Sequence, residues 1–381
     1  MTHRSAWLAV AAMFVLNGAL FGIWASRIPT VADRHELSSG NLGLLLLLMA
    51  AGAIVAFPFS GRWSDRFGAV RVTRVLAVLY ALSLFLIAGS PSYWTLAVSL
   101  FLFGATHGGM DVSMNTWAGE AEKYIARPVM SSFHAMWSLG AGIGAGTGFL
   151  AARADVGIGL HFVLAGALVA VITLYIARVD WRSDTQARVQ KGPFFVFPKG
   201  PLLAVGFFAF CASIGEGGMA DWSAIFLIET TGASEANAAL GYSIYSLAMV
   251  AMRLMGDRVT QRFGPVSTAR FAGTIAAVGV LCAVGFGTYG MSLFGFVLMG
   301  IGYAVIIPLA FSRAANDPVM SPGAAIASVS TLGYGGILLG PPLIGFMAEA
   351  TSIRSAFVVL AVLAVLIVVL APAVRRTDNA G

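Results

Sequence analysis

The chain has 381 residues, of which 58% are hydrophobic and only 10% are charged, and its mean hydropathy is +0.85. This composition excludes an ordinary soluble domain and indicates a protein that lies mostly within a membrane. The net charge of +6 does not indicate nucleic-acid binding, because the basic residues fall in short loops rather than on an aromatic platform.

Apolar stretches long enough to cross a bilayer occur twelve times along the chain. A spanning helix needs roughly 20 mostly apolar residues. We therefore predict an all-α polytopic membrane protein with twelve transmembrane helices. The predicted spans are 6–28, 41–60, 72–90, 93–116, 131–151, 158–178, 201–228, 237–255, 270–288, 290–311, 322–346 and 354–374.

The first span is too long for a signal-peptide core and lacks a small-residue cleavage site, so we expect it to be retained. It carries Asn17 and Trp24, which are candidate substrate ligands, and Arg27 close to its outer end. If the N-terminus is cytoplasmic, only four of the 23 Lys and Arg residues fall outside, as the positive-inside rule requires. We therefore expect a multi-pass protein of the plasma (inner) membrane with both termini in the cytoplasm. The four outer residues are Arg27, Arg34, Arg153 and Arg354.

The sequence GRWSDRFGAVR at 61–71 follows the second span and is predicted to be a cytoplasmic loop. It is similar to the G-x-x-x-D-R-x-G-R/K signature of the major facilitator superfamily, and the pattern of spans resembles that family along the whole chain. The resemblance implies a secondary transporter that works by alternating access. It also implies that Asp65 packs against the start of helix 11 and closes the cytoplasmic side, with Gly61, Arg66 and Gly68 in the same gating motif.

Polar residues interrupt the fourth span in the sequence THGGMDVSMN at 106–115. His107, Asp111 and Asn115 are spaced four apart, so they form one slowly drifting stripe on a helix. An ionised carboxylate at the centre of a membrane helix costs about 2.5–3.5 kcal/mol on insertion scales, which favours a functional role. A structural role, satisfied by a neighbouring helix, is the alternative for each of the three.

This stretch and SSFHAMWSLGAGIG at 131–144 resemble the fucose-permease-like and related uncharacterised bacterial branch of the family. The resemblance implies that Asp111 takes part in proton coupling. The chain departs from that branch because the helix-1 acid of the fucose permease has no counterpart and His134 replaces a helix-5 asparagine. We hypothesise that Asp111 exchanges the coupling proton and that His134 adjusts its proton affinity.

The longest polar stretch of the chain divides it into two similar halves. We predict an N-terminal six-helix bundle at 1–178, a central cytoplasmic loop at 179–200 and a C-terminal six-helix bundle at 201–381. Trp24 and Trp222 are separated by the same offset as Gly43 and Gly241, which indicates an internal repeat. Two repeats of equal topology predict two pseudo-symmetric bundles with a substrate site between them.

The seventh span contains Glu216 and Asp221, which lie roughly 140° apart on an ideal helix. Both can face one cavity only if the glycines at 215, 217 and 218 break or bend the helix. We predict that Glu216 binds substrate or the proton, and that Asp221 and Arg27 form a state-dependent pair that closes an outer gate. Trp137 and Trp222 join the candidate substrate ligands, because aromatic faces stack on sugar rings.

These features predict proton-coupled symport of a small neutral polar, sugar-like solute. No Arg or Lys falls at mid-depth of a predicted span, so an anionic substrate would lack a cationic clamp. Proton-coupled efflux of a drug or metabolite is the alternative, and a sensor of the same fold that does not transport is a second. We expect no enzymatic activity, cofactor, metal site or nucleic-acid partner, and we expect a monomer in the lipid bilayer.

Overall fold

The computed structural model describes residues 2–126, 129–183, 185, 197–320 and 322–375. Within this part of the chain there are fourteen α-helices and one short 3₁₀ helix at Ala371–Val374. The first seven are α1 His3–Ala25, α2 Ile28–Arg34, α3 Ser39–Phe67, α4 Ala69–Ala88, α5 Tyr93–Ile125, α6 Met130–Arg153 and α7 Ile158–Ile176. The others are α8 Pro201–Thr231, α9 Glu235–Phe263, α10 Pro265–Phe286, α11 Tyr289–Tyr303, α12 Ile306–Ala315, α13 Pro322–Ala350 and α14 Ile353–Leu370.

These helices make twelve membrane crossings, which confirms the predicted fold class. In the described residues, ten helical stretches are long and apolar enough to cross a membrane. The other two crossings are α5 and α6, whose 33 and 24 residues exceed the length required. These two helices carry the polar residues of the fourth and fifth predicted spans, which lowers their hydropathy.

Two crossings consist of two helices each. The first is interrupted at Ser26 and Arg27, where Pro29 in the first turn of α2 cannot donate a backbone hydrogen bond. The tenth is interrupted at Ala304 and Val305, between α11 and α12. Because the number of crossings is even, the first and last described residues, Thr2 and Arg375, lie on one face of the bundle, which we call the terminal face; the other is the opposite face.

The predicted loop at 61–71 is wrong in its extent. α3 continues through most of the signature to Phe67, and α4 begins at Ala69, so that Gly68 alone makes the turn with a φ of +89°. The same arrangement recurs in the second half, where Gly264, with a φ of +79°, separates α9 from α10. Positive φ values favour glycine, so the RFG sequence repeated at 66–68 and 262–264 has a structural reason.

Small residues allow the helices of each half to pack closely. A Cβ atom on Gly18 or Gly22 of α1 would lie about 2 Å from a backbone carbonyl oxygen of α6, and Gly140 and Gly144 of α6 face α1 in the same way. Between the halves, α6 packs on α9 and α3 packs on α13. Of the predicted central loop, residues 184 and 186–196 lie outside the described residues.

Candidate substrate and coupling site

A cavity of about 340 Å³ lies between the two halves. Its wall is formed by α1, α3, α5 and α6 of the first half and by α8, α9, α12 and α13 of the second. Aliphatic and aromatic side chains make up most of this wall. The cavity-lining residues with ionisable or imidazole side chains are His107, Asp111, His134, Glu216, Asp221 and Arg253, together with the phenols of Tyr242, Tyr245 and Tyr334.

The polar stripe predicted on the fourth span is present on α5. His107 and Asp111 line the cavity, and the Asn115 amide lies one turn further along, where it donates to the Asp111 carboxylate at 3.1 Å. His107 Nδ1 is 3.0 Å from the hydroxyl of Tyr80 on α4. Asn115 therefore holds the Asp111 carboxylate in place and does not itself line the cavity wall.

Aromatic rings form one side of the cavity. Phe21 of α1 lies between Trp137 of α6 and Tyr242 of α9, with ring centroids 6.1 and 6.3 Å away. The Trp137 indole donates to Asn17 at 2.8 Å, and the Asn17 amide donates to the backbone carbonyl of His107 at 3.3 Å. Asn17 is fully buried. It therefore orients Trp137 and does not offer its own side chain to a solute in the cavity.

Trp24 and Trp222, which we predicted to bind substrate, do not line the cavity in this conformation. Both indoles are fully buried, and neither contributes to the cavity wall. Trp24 packs against Phe103, and the Trp222 ring lies beside Gly345 of α13. These large apolar rings fill space between helices, as buried aromatic side chains usually do.

The expected break in α8 is absent. The helix is continuous from Pro201 to Thr231, yet Glu216 and Asp221 both line the cavity. Gly215 lies under the ring of Tyr303, and Gly218 packs against Ile344 and Leu360. Gly215 and Gly218 thus serve close helix packing, whereas a Cβ atom on Gly217 would meet nothing within 4 Å.

Sequence reasoning missed Arg253 on α9. Its guanidinium is 3.3 Å from the Glu216 carboxylate on α8 and also donates to the Ser138 hydroxyl on α6, so it connects the two halves. The predicted eighth span, 237–255, places Arg253 two residues from its end, whereas α9 continues to Phe263, so Arg253 lies well inside the helix and lines the cavity. The sequence feature that could have identified Arg253 is the helical spacing of polar residues beyond the apolar run. Hydropathy does not detect it, because hydropathy identifies only the part of a helix that faces lipid.

His134 lies at the cavity but does not contact Asp111. Arg253 is the charged group close enough to His134 to act on it electrostatically. The His134 ring packs edge-on against Phe14. The imidazole is exposed to the cavity, near the start of α6. Direct coupling of His134 to Asp111 is therefore not a feature of this conformation.

Arg27 forms an ion pair with Glu235 at the start of α9, at 3.1 Å, and not with Asp221. It also donates to the carbonyl oxygen of Val156, in the connection between α6 and α7. The physical reason is that Arg27 lies at the interruption between α1 and α2, level with the first turn of α9, whereas Asp221 lies deeper along α8. Arg27 therefore does not pair with Asp221 in this conformation, and the state-dependent pair remains a prediction.

The signature residues lie at the end of α3 on the terminal face. Asp65 is partly buried, and the Arg66 guanidinium stacks over the ring of Phe67 at 5.1 Å. A Cβ atom on Gly61 would meet nothing within 4 Å. The gating role that we expect for Gly61, Asp65, Arg66 and Gly68 remains a prediction.

The family model of the Major Facilitator Superfamily matches residues 6–318 and, in a second alignment, 205–381. The uncharacterised transporter y4wD of Sinorhizobium fredii is 44% identical over 97% of this chain and 98% of its own. An uncharacterised MFS-type transporter of Yersinia pestis is 34% identical over 95% and 94% of the two chains. The fold matches that of a variant of the nucleoside transporter NupG with a TM-score of 0.77, at 12% identity and 98% and 99% coverage. The chain therefore belongs to the Major Facilitator Superfamily and is a multi-pass secondary transporter.

Proposed function

We propose that this protein is a proton-coupled symporter of a small neutral polar, sugar-like solute, which it moves by rocking its two halves around the central cavity. The observation that carries the proposal is the composition of the cavity wall. A carboxylate, an imidazole and an aromatic wall converge on a space of about 340 Å³, within the range of small-molecule sites. Transporters of paired repeats bind their substrates at such an interface.

Proton coupling is supported by Asp111. Its carboxylate lines the cavity, and the hydrogen bonds described for it come from the Asn115 amide rather than from a cation. A carboxylate within a membrane is costly while it is charged, and a proton removes that cost. Alternating access would expose the group to each side in turn, so it gains the proton on one side and loses it on the other.

A neutral ring-bearing solute suits the rest of the wall. Phe21, Trp137 and Tyr242 offer faces on which a sugar ring stacks, and His107 offers a hydrogen-bonding edge. Arg253 does not act as a free clamp for an anion, because Glu216 and Ser138 already bind it. The presence of Arg253 at the cavity is thus compatible with a neutral substrate.

Proton-coupled efflux of a drug or metabolite is the second candidate. The observation that favours it is the large share of aliphatic and aromatic side chains in the cavity wall. Apolar walls with a few polar groups are typical of sites that bind drug-sized molecules. A sensor of the same fold would bind a solute in this cavity without moving it.

Orientation and assembly form part of the same proposal. The terminal face would lie in the cytoplasm at the inner membrane, because the basic residues concentrate there. The cavity is built from a single chain, so a monomer contains the whole transport path.

The experiment is uptake into proteoliposomes with an acidic exterior. The panel consists of labelled sugars and polyols on one side and lipophilic cations on the other, with and without a protonophore. Uphill accumulation of a sugar or polyol that the protonophore abolishes is the expected result. Proton-driven transport of lipophilic cations alone would replace symport by efflux, and binding without transport would favour the sensor.

A further inference from the structure

Asp221 is the carboxylate of the cavity whose surroundings the proposed function leaves unexplained. It lies on α8 between Glu216 and the opposite face, lines the cavity and is 5% exposed. Its Oδ1 atom is buried without a hydrogen-bond partner. Among the described residues no ion pair of Asp221 is found, and Arg27, the expected partner, binds Glu235 and Val156 instead.

The other two carboxylates of the cavity differ from Asp221 in this respect. Asp111 accepts a hydrogen bond from Asn115, and Glu216 is paired with Arg253. Of the groups on neighbouring helices, the phenol of Tyr242 on α9 interacts electrostatically with Asp221. The remaining ionisable groups that face the cavity are His107 and Asp111 from α5, His134 from α6, Tyr245 and Arg253 from α9 and Tyr334 from α13.

A charged carboxylate with neither a cation nor a donor is expensive to maintain away from water. The smallest group that removes this cost is a proton, which needs no further ligands. Sodium needs several oxygen ligands at once, and the experiment below distinguishes it from a proton. The cavity gives water a path to the carboxylate, so the proton can exchange.

We propose that Asp221 is a proton-binding site of the transport cycle, loaded from the central cavity. This inference rests on the proposed proton-coupled transport and adds a second titrating carboxylate, in the second half of the chain, to Asp111 in the first. The proton binds one carboxylate oxygen from cavity water and returns to water when the opposite face opens. Asp221 lies toward that face, so opening would hydrate it before it hydrates Glu216.

Infrared spectroscopy tests the site with the proton itself as the probe. The full chain is reconstituted in lipid, and difference spectra are recorded between mildly acidic buffer, in which the pH is still well above the ordinary carboxyl pKa, and alkaline buffer for wild type and Asp221→Asn. Asp180→Asn is the matched control, because Asp180 is exposed. The expected result is a protonated-carboxyl band that disappears at alkaline pH and loses one carboxyl's intensity in Asp221→Asn but not in Asp180→Asn.

Several outcomes would overturn the inference. One is a band that Asp221→Asn leaves unchanged, and another is a band insensitive to pH, which would mark a static structural acid. Loss of the band on adding sodium at constant pH would assign the site to that ion. Asp221→Glu keeps a carboxyl and should keep a shifted band, which guards against an Asn variant that fails to fold.

The same preparations separate this inference from the proposed function. Proton-driven transport in wild type, together with an unchanged band in Asp221→Asn, would refute only the assignment of Asp221. A titrating band that depends on Asp221, in a protein whose transport ignores the proton gradient, would refute the proposed proton coupling.

Discussion

The Glu349 carboxylate, at the end of α13, accepts a hydrogen bond from the backbone N–H of Gly40 in the first turn of α3, at 2.6 Å. It also accepts one from the Ser38 hydroxyl at 3.2 Å. A carboxylate from the second half thus caps a helix N-terminus of the first half, where the helix dipole favours negative charge. The family resemblance assigns the reciprocal arrangement to Asp65, at the end of α3, and the start of α13. The two carboxylates would then hold closed opposite faces of the transporter in alternate states.

Removal of this contact should loosen the opposite face. Glu349→Gln weakens the charge-assisted bond, and Gly40→Ala places a Cβ where Glu349 now lies. Because Glu349 is exposed, we expect the free-energy difference between the closed and open states to change by only about 1 kcal/mol, which is roughly a fivefold shift toward the open state. Spin labels attached to cysteines introduced by Pro91→Cys and Thr288→Cys, both on this face, would report the shift as a change in their distance distribution. Gly290→Ala, where a Cβ meets nothing within 4 Å, should leave the distribution unchanged.

The Arg27–Glu235 pair makes a charge-swap prediction. Arg27 is 3% exposed, so reversal of its charge alone should destabilise the protein by about 3–5 kcal/mol, whereas reversal of Glu235, whose side chain is 35% exposed, should cost less. Reversal of both should recover part of that loss, measured as the apparent Tm of the purified protein. The matched comparison is Arg27→Glu with Asp221→Arg, for which we expect no recovery. Recovery by the Asp221 combination and not by the Glu235 one would reverse our assignment.

Removal of Arg253 alone should destabilise the protein more than removal of both Arg253 and Glu216, because the single change leaves the Glu216 carboxylate without its partner. Arg253→Gln strands Glu216 and should cost about 1–3 kcal/mol of stability, whereas the double variant with Glu216→Gln should be nearer to wild type. Ser138→Ala removes only one hydrogen bond and is the control for the link between the halves. A double variant less stable than Arg253→Gln would contradict the pairing.

The glycines between α1 and α6 should tolerate no side chain. Gly18→Ala directs a Cβ at the carbonyl oxygen of Trp137, and we expect a loss of about 1–3 kcal/mol or failure to accumulate in the membrane. Gly159→Ala on α7 meets nothing within 4 Å and should be neutral or slightly stabilising. Equal apparent Tm values for the two variants would show that α1 and α6 are packed less closely than described.

Hydropathy and the internal repeat predicted the twelve crossings, the two halves and the polar stripe of α5, because these depend on local sequence. They placed Arg253 near the end of its span and not at the cavity, because the continuation of α9 to Phe263 was not predicted. They also could not show which polar side chains meet across helices. Sequence placed Arg27 and Asp221 together in the outer part of the membrane, and only the packing of α1, α2 and α9 shows that Arg27 lies beside Glu235. Trp24 and Trp222 illustrate the same limit, since sequence does not say which face of a buried helix opens onto a cavity.

Charge movement in proteoliposomes on a solid-supported membrane tests whether a proton on Asp111 drives the transport cycle. Currents are recorded for wild type and Asp111→Asn with sugars and polyols at two pH values, and exchange of labelled solute is measured in the same vesicles. We predict that the variant loses the current and uphill accumulation while it keeps solute exchange. Full proton-driven current and accumulation in Asp111→Asn would show that Asp111 does not carry the coupling proton.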